Sequence, residues 1–400
     1  VNRLEPLKKK LILGGAHFQI PAIKYAKSQG YHVITCDYLP DNPGHKLADE
    51  YYNISTTDKN AVLALARSLS VDGILCFASD PAAPTAAYVS EVLGLPGNTF
   101  DNICRFGEKH LWRQFLRENG FNVPKAIPYQ RAEDIDVTDW RFPVMVKPVD
   151  SSGSKGITKV TSALDLESAF DYALSYSRLK IVLIEEFIER VGSQIGGDGF
   201  YGKDKLEFIC YGEQVVDEKI NGYVPCGMKF PALLSSSLEQ RITHDIERAI
   251  GLSGLHDLSF NLEVMIDEAE NIYLMEIGPR NGGNCIPEVI QYYTNVNLVA
   301  IAVEAALGNS MPVCPSNNTK CYAYYALHAS KEGIYRGYEL EKTFRLNIKN
   351  SYIFLKNGDK IGAFLGSNQT IGILLLEFDS RKEMDTFFDS PERYVSLYIE

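Results

Sequence analysis

The chain has 400 residues, of which 45% are hydrophobic and 23% are charged, and its formal net charge is -11 at pH 7. This is the composition of an ordinary globular protein that is large enough to divide into two or more domains. The acidic balance argues against a general nucleic-acid or membrane binder, which would usually carry a basic surface. The eight cysteines form no C-x-x-C pair, VNRLEPLKKK lacks the apolar core of a signal peptide, and no apolar run approaches the ~18 residues of a membrane span. We therefore expect reduced thiols, a cytoplasmic location, and neither nucleic-acid nor membrane partners.

The first hundred residues alternate between strand-like and helix-like segments. KLILGG, YHVITCD and VDGILCFASD read as strands, and they end near Gly14 and Gly15, at Asp37 and at Asp80. This alternation predicts a parallel sheet, whose ligand sites lie at the carboxyl ends of the strands. We expect these four residues to surround one crevice.

Asp37 follows Gly15 by 22 residues (37 minus 15), which is the spacing of an acid that binds a ribose in dinucleotide-binding folds. However, GGAHFQ has two adjacent glycines and no G-x-G-x-x-G. A nicotinamide-dependent oxidoreductase is therefore one alternative, and a residue that only caps its own loop is the simpler interpretation of Asp37.

The next segment has the features of a phosphate-binding hairpin. After the amphipathic helix EKHLWRQFLRENG, the stretch FPVMVKPVDSSGSKGITKV places Lys147 at the end of an apolar strand and follows it with a glycine loop, residues 151–156, and a second strand. Small residues let backbone N–H groups approach phosphate oxygens, and lysines add positive charge. A P-loop would instead open a helix and read G-x-x-x-x-G-K-[ST]. A solvated turn is the alternative, but it does not explain Lys147 within an apolar run.

A helix from about Ala163 to Ser177, an acidic-ended strand KIVLIEEFIE and two hairpins follow, with GKDK and DEAEN as their turns. A turn at Glu268 to Asn271 brings Glu263 near Glu276, and two carboxylates forced together are most easily explained by a cation between them. The two-residue period of a strand assigns one face to Asn261, Glu263 and Met265, and one face of the partner strand to Ile272, Leu274 and Glu276.

The stretch YLMEIGPRNGGN follows Glu276 with turn residues, an arginine and two asparagines. A charged group inside a strand costs several kcal/mol unless it is paired or metal-bound. The alternative is that Glu276 is an acid on an edge strand followed by an ordinary turn. If a cation lies between Glu263 and Glu276, magnesium is the natural candidate, because the upstream segment has phosphate-binding features. His256 and Asp257 could be catalytic. The simpler explanation is that they cap the start of a strand or form a pair in the core.

Taken in this order from Gly14 to about Gly308, these features resemble the ATP-grasp superfamily of ligases. DYLPDNPGHKLADE and SDPAAPTAAYV are most similar to the purine-biosynthetic members, phosphoribosylamine-glycine ligase and the phosphoribosylaminoimidazole carboxylase ATPase, and to related carboxylate-amine ligases. The resemblance implies an α/β protein: an amino-terminal parallel-sheet domain at 1–105, an ATP-grasp core of two α+β subdomains at 106–310, and a carboxyl-terminal β-rich segment at 311–400.

The resemblance also implies site residues. Glu263 and Glu276 match ligands of Mg²⁺, with Mn²⁺ as an alternative, and Arg280 and Lys155 match residues that act on the transferred phosphate or the substrate carboxylate. The positions that match nucleotide contacts are Lys109, Lys147, Ser152, Gly153, Ser154, Gly156, Glu185, Glu186, Phe187, Ile188 and Gln194.

Two positions depart from the family pattern. The family commonly reads Glu-x-Asn-Pro-Arg at the metal strand, whereas this chain has Gly278 and so lacks one side-chain oxygen, which Asn281 or a water could replace. Gln194 stands where the family often has an acid that binds ribose. These departures put the number of metal ions in question more than the type of reaction.

The resemblance predicts an ATP-dependent carboxylate-amine ligase that forms an acyl phosphate from small-molecule substrates and releases ADP and phosphate. Three alternatives stay open: a purine-pathway ligase acting on a phosphoribosyl amine or aminoimidazole, a catalytically silent ATP-binding protein, and the oxidoreductase. A homodimer is the assembly that we consider.

Overall fold

The computed structural model describes residues 7–316 and 318–400. Its amino-terminal part is a parallel sheet in the order β3-β2-β1-β4, which confirms the predicted alternation. Four of the five residues in β1 and in β2 are buried, as expected for strands covered on both faces. The elements are β1 Lys9–Leu13, α1 Ile20–Ser28, β2 His32–Cys36, β3 Glu50–Tyr52, α2 Lys59–Leu69, β4 Gly73–Cys76, α3 Ala83–Leu93 and α4 Phe100–Gly107.

A second, antiparallel sheet has the order β5-β8-β6-β7. The glycine loop joins β6 to β7, as predicted, and α6 packs on the sheet through a core that includes Phe170 and Val146. The elements of this part are α5 Lys109–Glu118, β5 Ala126–Tyr129, β6 Val144–Pro148, β7 Thr158–Val160, α6 Leu166–Tyr176 and β8 Val182–Glu186.

The third sheet has eight strands in the order β13-β12-β9-β10-β11-β14-β18-β16, and a small sheet has the order β17-β15-β19. Pairing of β11 with β14 carries the large sheet across residue 310, near which we predict a boundary. The remaining elements are β9 Ile195–Tyr201, β10 Leu206–Asp217, β11 Asn221–Phe230, α7 Ser236–Ser253, β12 Leu258–Ile266, β13 Ile272–Gly278, α8 Ile286–Thr294, α9 Leu298–Ala305, β14 Cys321–His328, β15 Gly333–Leu340, β16 Ile348–Ile353, β17 Lys360–Ile361, β18 Thr370–Phe378, α10 Arg381–Asp389 and β19 Val395–Ile399.

The β12–β13 hairpin pairs Glu263 directly with Glu276, as predicted. The register shifts just after Glu263, so that β13 contains a bulge at Met275. Ile272 and Leu274 belong to the buried core, whereas Met275 and Glu276 line a cavity. The predicted face shared by Ile272, Leu274 and Glu276 is therefore wrong, because one extra residue reverses the alternation of side chains.

Within the described residues, no helix combines the length and the apolar character that a bilayer crossing requires. All eight cysteines are unpaired, and five of them are buried.

Candidate active site

A cavity of about 750 Å³ lies where the three larger sheets meet. Its volume falls in the range of about 300–1,000 Å³ that is usual for small-molecule sites. The amino-terminal part contributes Asp80 to its wall, and the segment before β18 contributes Ser367. The predicted site residues in its wall are Lys109, Lys147, Ser152, Gly153, Ser154, Glu185, Glu186, Phe187, Ile188, Gln194, Glu263, Glu276 and Arg280.

Lys147 is held at one end of the cavity by an ionic cluster. The carboxylate of Glu185 contacts Lys147 Nζ with one oxygen and Arg113 Nε with the other, and the Glu185 side chain is only 1% exposed. Burial alone would raise the pKa of Glu185, but Arg113 and Lys147 hold it at about 2. Both oxygens are therefore engaged, and Glu185 orients Lys147. Arg113 lies on α5, and nothing in the sequence distinguished it from a surface residue of an amphipathic helix.

The paired acids Glu263 and Glu276 also line the cavity. Glu263 accepts hydrogen bonds from Gln194 Nε2 at 2.8 Å and from Gln214 Nε2 at 3.1 Å, and Glu276 accepts one from Lys109 Nζ at 3.2 Å. Burial and the neighbouring Glu276 raise the pKa of Glu263. Gln194 thus contacts the acid pair. Sequence reasoning missed Gln214, which is an ordinary polar position on β10.

This acid pair suits Mg²⁺ that is also bound by a nucleotide. Within residues 7–316 and 318–400, no cluster of three or more His, Cys, Asp or Glu side chains has a metal-binding arrangement. Mg²⁺ is commonly held by one or two carboxylates together with phosphate oxygens and water. Such a cation would relieve the repulsion from Glu276 that, after burial, raises the pKa of Glu263.

Arg280 lines the cavity and reaches the amino-terminal part. Its Nη2 donates to Asp80 Oδ2 at 2.5 Å. Burial opposes the charge on Arg280, but Asp80 outweighs it and raises the pKa of the guanidinium. A Cβ at Gly278 would lie 3.3 Å from Asp80 Oδ1 and 3.4 Å from Arg280 Cζ. Glycine therefore leaves room for this ion pair where the family commonly has asparagine.

Asn281 lies beside Asp198, outside the cavity lining. Its side chain is 1% exposed, does not line the cavity, and donates through Nδ2 to Asp198 Oδ2 at 3.2 Å. Its Oδ1 is buried without a hydrogen-bond partner, and both replacements considered for the missing oxygen, Asn281 and water, stay predictions.

Asp198 is a residue that the sequence reasoning missed. It is fully buried on β9 and accepts hydrogen bonds from Asn261 Nδ2 and from the Gly282 N–H, each at 2.8 Å, besides the bond from Asn281. Burial raises its pKa to about 6. Asp198 therefore braces the segment that carries Arg280. The signal was available, because IGGDGF places an acid within an otherwise apolar strand.

The glycine loop is docked against two other segments. Ser154 Oγ donates to the Tyr223 carbonyl oxygen at 2.7 Å, and the Ser367 N–H donates to the Gly153 carbonyl oxygen at 3.3 Å. Gly153 has φ +67°, and a Cβ there would collide with Ser367 Oγ. This position therefore needs glycine for its backbone conformation and for the close approach of Ser367.

Two predicted loop residues do not reach the cavity wall. Lys155 is absent from the lining, and its Cγ lies near Gly366. Gly156 packs behind the loop, where a Cβ would lie 3.0 Å from Tyr176 Cβ. Lys159, which does line the cavity, has its Nζ 3.8 Å from the centroid of the Phe187 ring.

Of the four amino-terminal residues expected to surround one crevice, Asp80 lines this cavity, and the strands that precede all four end side by side, with Leu13 paired to Cys36 and to Cys76. Asp37 accepts hydrogen bonds from the Leu39 N–H at 3.2 Å and from Asn42 Nδ2 at 2.9 Å, so its carboxylate caps its own loop. A Cβ at Gly15 would collide with the His45 ring, and Gly14 lies beside Gln19. His256 and Asp257 lie outside the cavity at the entry to β12.

The chain is similar to known proteins in sequence and in fold. Residues 114–288 match the family described as D-ala D-ala ligase C-terminus. The formate-dependent phosphoribosylglycinamide formyltransferase of Burkholderia pseudomallei (strain 1106a) is 30% identical over 290 residues, which cover 68% of each chain.

Two solved structures have the same fold. The L-amino acid ligase from Bacillus licheniformis gives a TM-score of 0.83 at 18% identity, with 99% of this chain and 100% of that chain covered. Phosphoribosylglycinamide synthetase from Anaerococcus prevotii gives 0.76 at 19% identity, with 98% and 100% covered. The sequence match, the fold and the cavity agree with the predicted motifs, and the chain belongs to the ATP-grasp superfamily, whose enzymes use ATP with Mg²⁺.

Proposed function

We propose that this enzyme is an ATP-dependent carboxylate-amine ligase that forms an acyl phosphate and releases ADP and phosphate. The observation that supports this most is the meeting of three groups in one cavity: the lysine cluster around Glu185, the acid pair Glu263 and Glu276, and Arg280. This combination provides cations for phosphate, carboxylates for a metal ion, and a planar guanidinium for a carboxylate or a phosphoryl group.

The nucleotide is proposed to lie between the two lysines and the glycine loop. Lys109, Lys147 and the backbone N–H groups of residues 152–156 would contact the phosphates, and the segment Glu186 to Ile188 would hold the adenine. Glu185 would act through Lys147. We retain Lys155 as a proposed phosphate contact of the loop, although its side chain lies off the cavity wall.

Glu263 and Glu276 are the proposed ligands of Mg²⁺, and Gln194 and Gln214 hold Glu263 in position. When bound, the metal ion would neutralise charge on the terminal phosphates. Since Lys109 is hydrogen-bonded to Glu276, the same acid links the proposed metal site to the proposed phosphate site.

The proposed reaction has two steps. A carboxylate oxygen of the acid attacks the γ-phosphorus, and ADP leaves with the electrons of the broken P–O bond. The amine then attacks the acyl carbon, phosphate leaves, and the nitrogen loses a proton. Arg280 and the lysines would stabilise the transferring group, while positioning supplies much of the rate. No covalent protein nucleophile is required.

The experiment that tests this proposal is a coupled assay of ADP release over pairs of acids and amines. ADP release that requires both substrates supports the ligase. Tight ATP binding with no turnover for any pair of acid and amine would support the catalytically silent alternative. The oxidoreductase alternative requires Asp37 to bind a ribose, and the loop-capping contacts of Asp37 do not support that role.

A purine-pathway ligase is the second candidate. The observation in its favour is the 30% identity with a protein named for formate and phosphoribosylglycinamide. ADP release that depends on a phosphoribosyl amine or aminoimidazole would establish it. A homodimer remains a prediction that sedimentation can check.

A further inference from the structure

The cavity contains an apolar wall that the nucleotide chemistry does not use. Phe18, Met228, Ile286 and Tyr324 all line the cavity and all pack in or against one hydrophobic cluster. Phe18 also packs edge-on against Phe354, with ring centroids 5.5 Å apart. These four side chains, which we call the apolar wall, therefore belong to one hydrophobic cluster that reaches the cavity.

The apolar wall adjoins the ion pair of Arg280 and Asp80. The chain runs from Arg280 through Gly283 and Asn284 to Ile286, and all four residues line the cavity. Asn284 Nδ2 donates to Tyr324 Oη at 3.4 Å.

The cations that line the cavity each contact another group of the protein. Among the described lining residues, Arg113 and Lys147 contact Glu185. Lys109 contacts Glu276, and Arg280 contacts Asp80. Lys159 lies over the Phe187 ring, and Arg190 donates to the Gly192 carbonyl oxygen. Arg280 lies on the segment that leads to Ile286, and it shares its charge with Asp80.

The helix that begins at the wall offers little to a phosphate. Glu288 lies in the first turn of α8, its Oε1 is buried without a hydrogen-bond partner, and burial raises its pKa to about 7. An acid in that position opposes a dianion at the helix start. A phosphate monoester is usually bound by several cations or free N–H groups, and the cation on the segment that leads to this helix, Arg280, is already paired with Asp80.

We infer that the acid held beside Arg280 is an unphosphorylated carboxylate with an apolar or aromatic side chain. Its carboxylate would pair with Arg280, and its side chain would lie on the apolar wall. This inference rests on the proposed function, and it assigns a substrate class that differs from the phosphoribosyl compound named for the formyltransferase relative.

Calorimetry on the full chain with saturating MgADP tests the inference with four probes: 3-phenylpropionate, acetate, ribose 5-phosphate and inorganic phosphate. We expect 3-phenylpropionate to bind about tenfold or more tighter than acetate, because only the former can bury apolar surface. Ribose 5-phosphate should bind no more tightly than inorganic phosphate. Equal affinities for 3-phenylpropionate and acetate, or a clear preference for ribose 5-phosphate over inorganic phosphate, would overturn the inference.

A variant pair locates the effect. Ile286→Ser should weaken the binding of 3-phenylpropionate by about fivefold and leave the affinity for acetate unchanged, because the substitution removes apolar contact without introducing a charge. Leu346→Ala, at a position 86% exposed and outside the cavity, should change neither affinity. Equal weakening of both probes by Ile286→Ser would contradict the inference.

The ADP-release assay separates the two proposals. ADP release that is stimulated only by phosphorylated substrates would overturn the substrate class and leave the ligase intact. Preference for 3-phenylpropionate in calorimetry, without any ADP release that depends on an acid and an amine, would support the apolar subsite and reject the ligase.

Discussion

Glu276→Gln removes one charge from the paired acids and keeps the shape of the side chain. In the absence of ligands, two effects oppose each other. The variant weakens the partly buried ion pair with Lys109, whose Nζ lies 3.2 Å from Glu276 Oε2, and it relieves the repulsion that, after burial, raises the pKa of Glu263. Each effect is on the order of 1 kcal/mol. We therefore expect the free energy of unfolding to change by less than about 1 kcal/mol, which is a shift of a few degrees in melting temperature.

The loss of function should be much larger than the loss of stability. If Glu276 binds Mg²⁺, its amide is a poor replacement for a charged ligand, and turnover should fall about 10²- to 10³-fold, or about 3–4 kcal/mol. The acid Glu263 should then be unable to hold the ion alone, because its remaining contacts are the amides of Gln194 and Gln214.

Two measurements check this prediction. Electron paramagnetic resonance of Mn²⁺ with ADP present reports metal binding without any knowledge of the substrates, and a Mg²⁺ titration of ADP release reports turnover. Glu268→Gln is the control, because this acid is exposed in the turn of the same hairpin. Normal Mn²⁺ binding and normal Mg²⁺ dependence in Glu276→Gln would show that the acid pair is not the metal site.

Three further predictions follow from the cavity. Lys147→Ala should lower ATP affinity tenfold or more, about 1.5–3 kcal/mol, while Arg113 still pairs with Glu185; unchanged affinity in calorimetry would remove Lys147 from the site. Replacing Ser154 and Lys155 together with alanine should impair turnover but leave the melting temperature nearly unchanged, since a loop that covers phosphates excludes water; parallel losses of both would make the loop a structural turn. The pKa of Asp198 is raised by burial from its ordinary 3.8 to about 6, so the stability contributed by its protonated form is complete below about pH 4 and is lost as the pH rises through 6. The slope of stability against pH between 4 and 7 should therefore be less negative in Asp198→Asn than in the unchanged protein, and equal slopes in chemical denaturation would contradict this assignment.

The sequence by itself determined the features that depend on neighbouring residues. Strand-helix alternation predicted the parallel sheet, a lysine at the end of an apolar run predicted Lys147 in the cavity wall, and a short polar turn predicted the pairing of Glu263 with Glu276. These features follow from periodicity, turn chemistry and the cost of burying charge, all of which act over a few residues of chain. The same local reasoning recognised that Asp37 could simply cap its loop.

Only the tertiary structure decided which side chains meet. The bulge at Met275 turns Glu276 from the core to the cavity, and no pattern of alternating residues contains that extra residue. Arg280 meets Asp80 across 200 residues of chain, and Gly153 meets Ser367 from the far end of the sequence. Such contacts depend on how whole sheets pack, because the register of a strand and the approach of two loops are set by buried surfaces that are distant in sequence. For this reason the types of the site residues could be predicted from the sequence, whereas their partners could not.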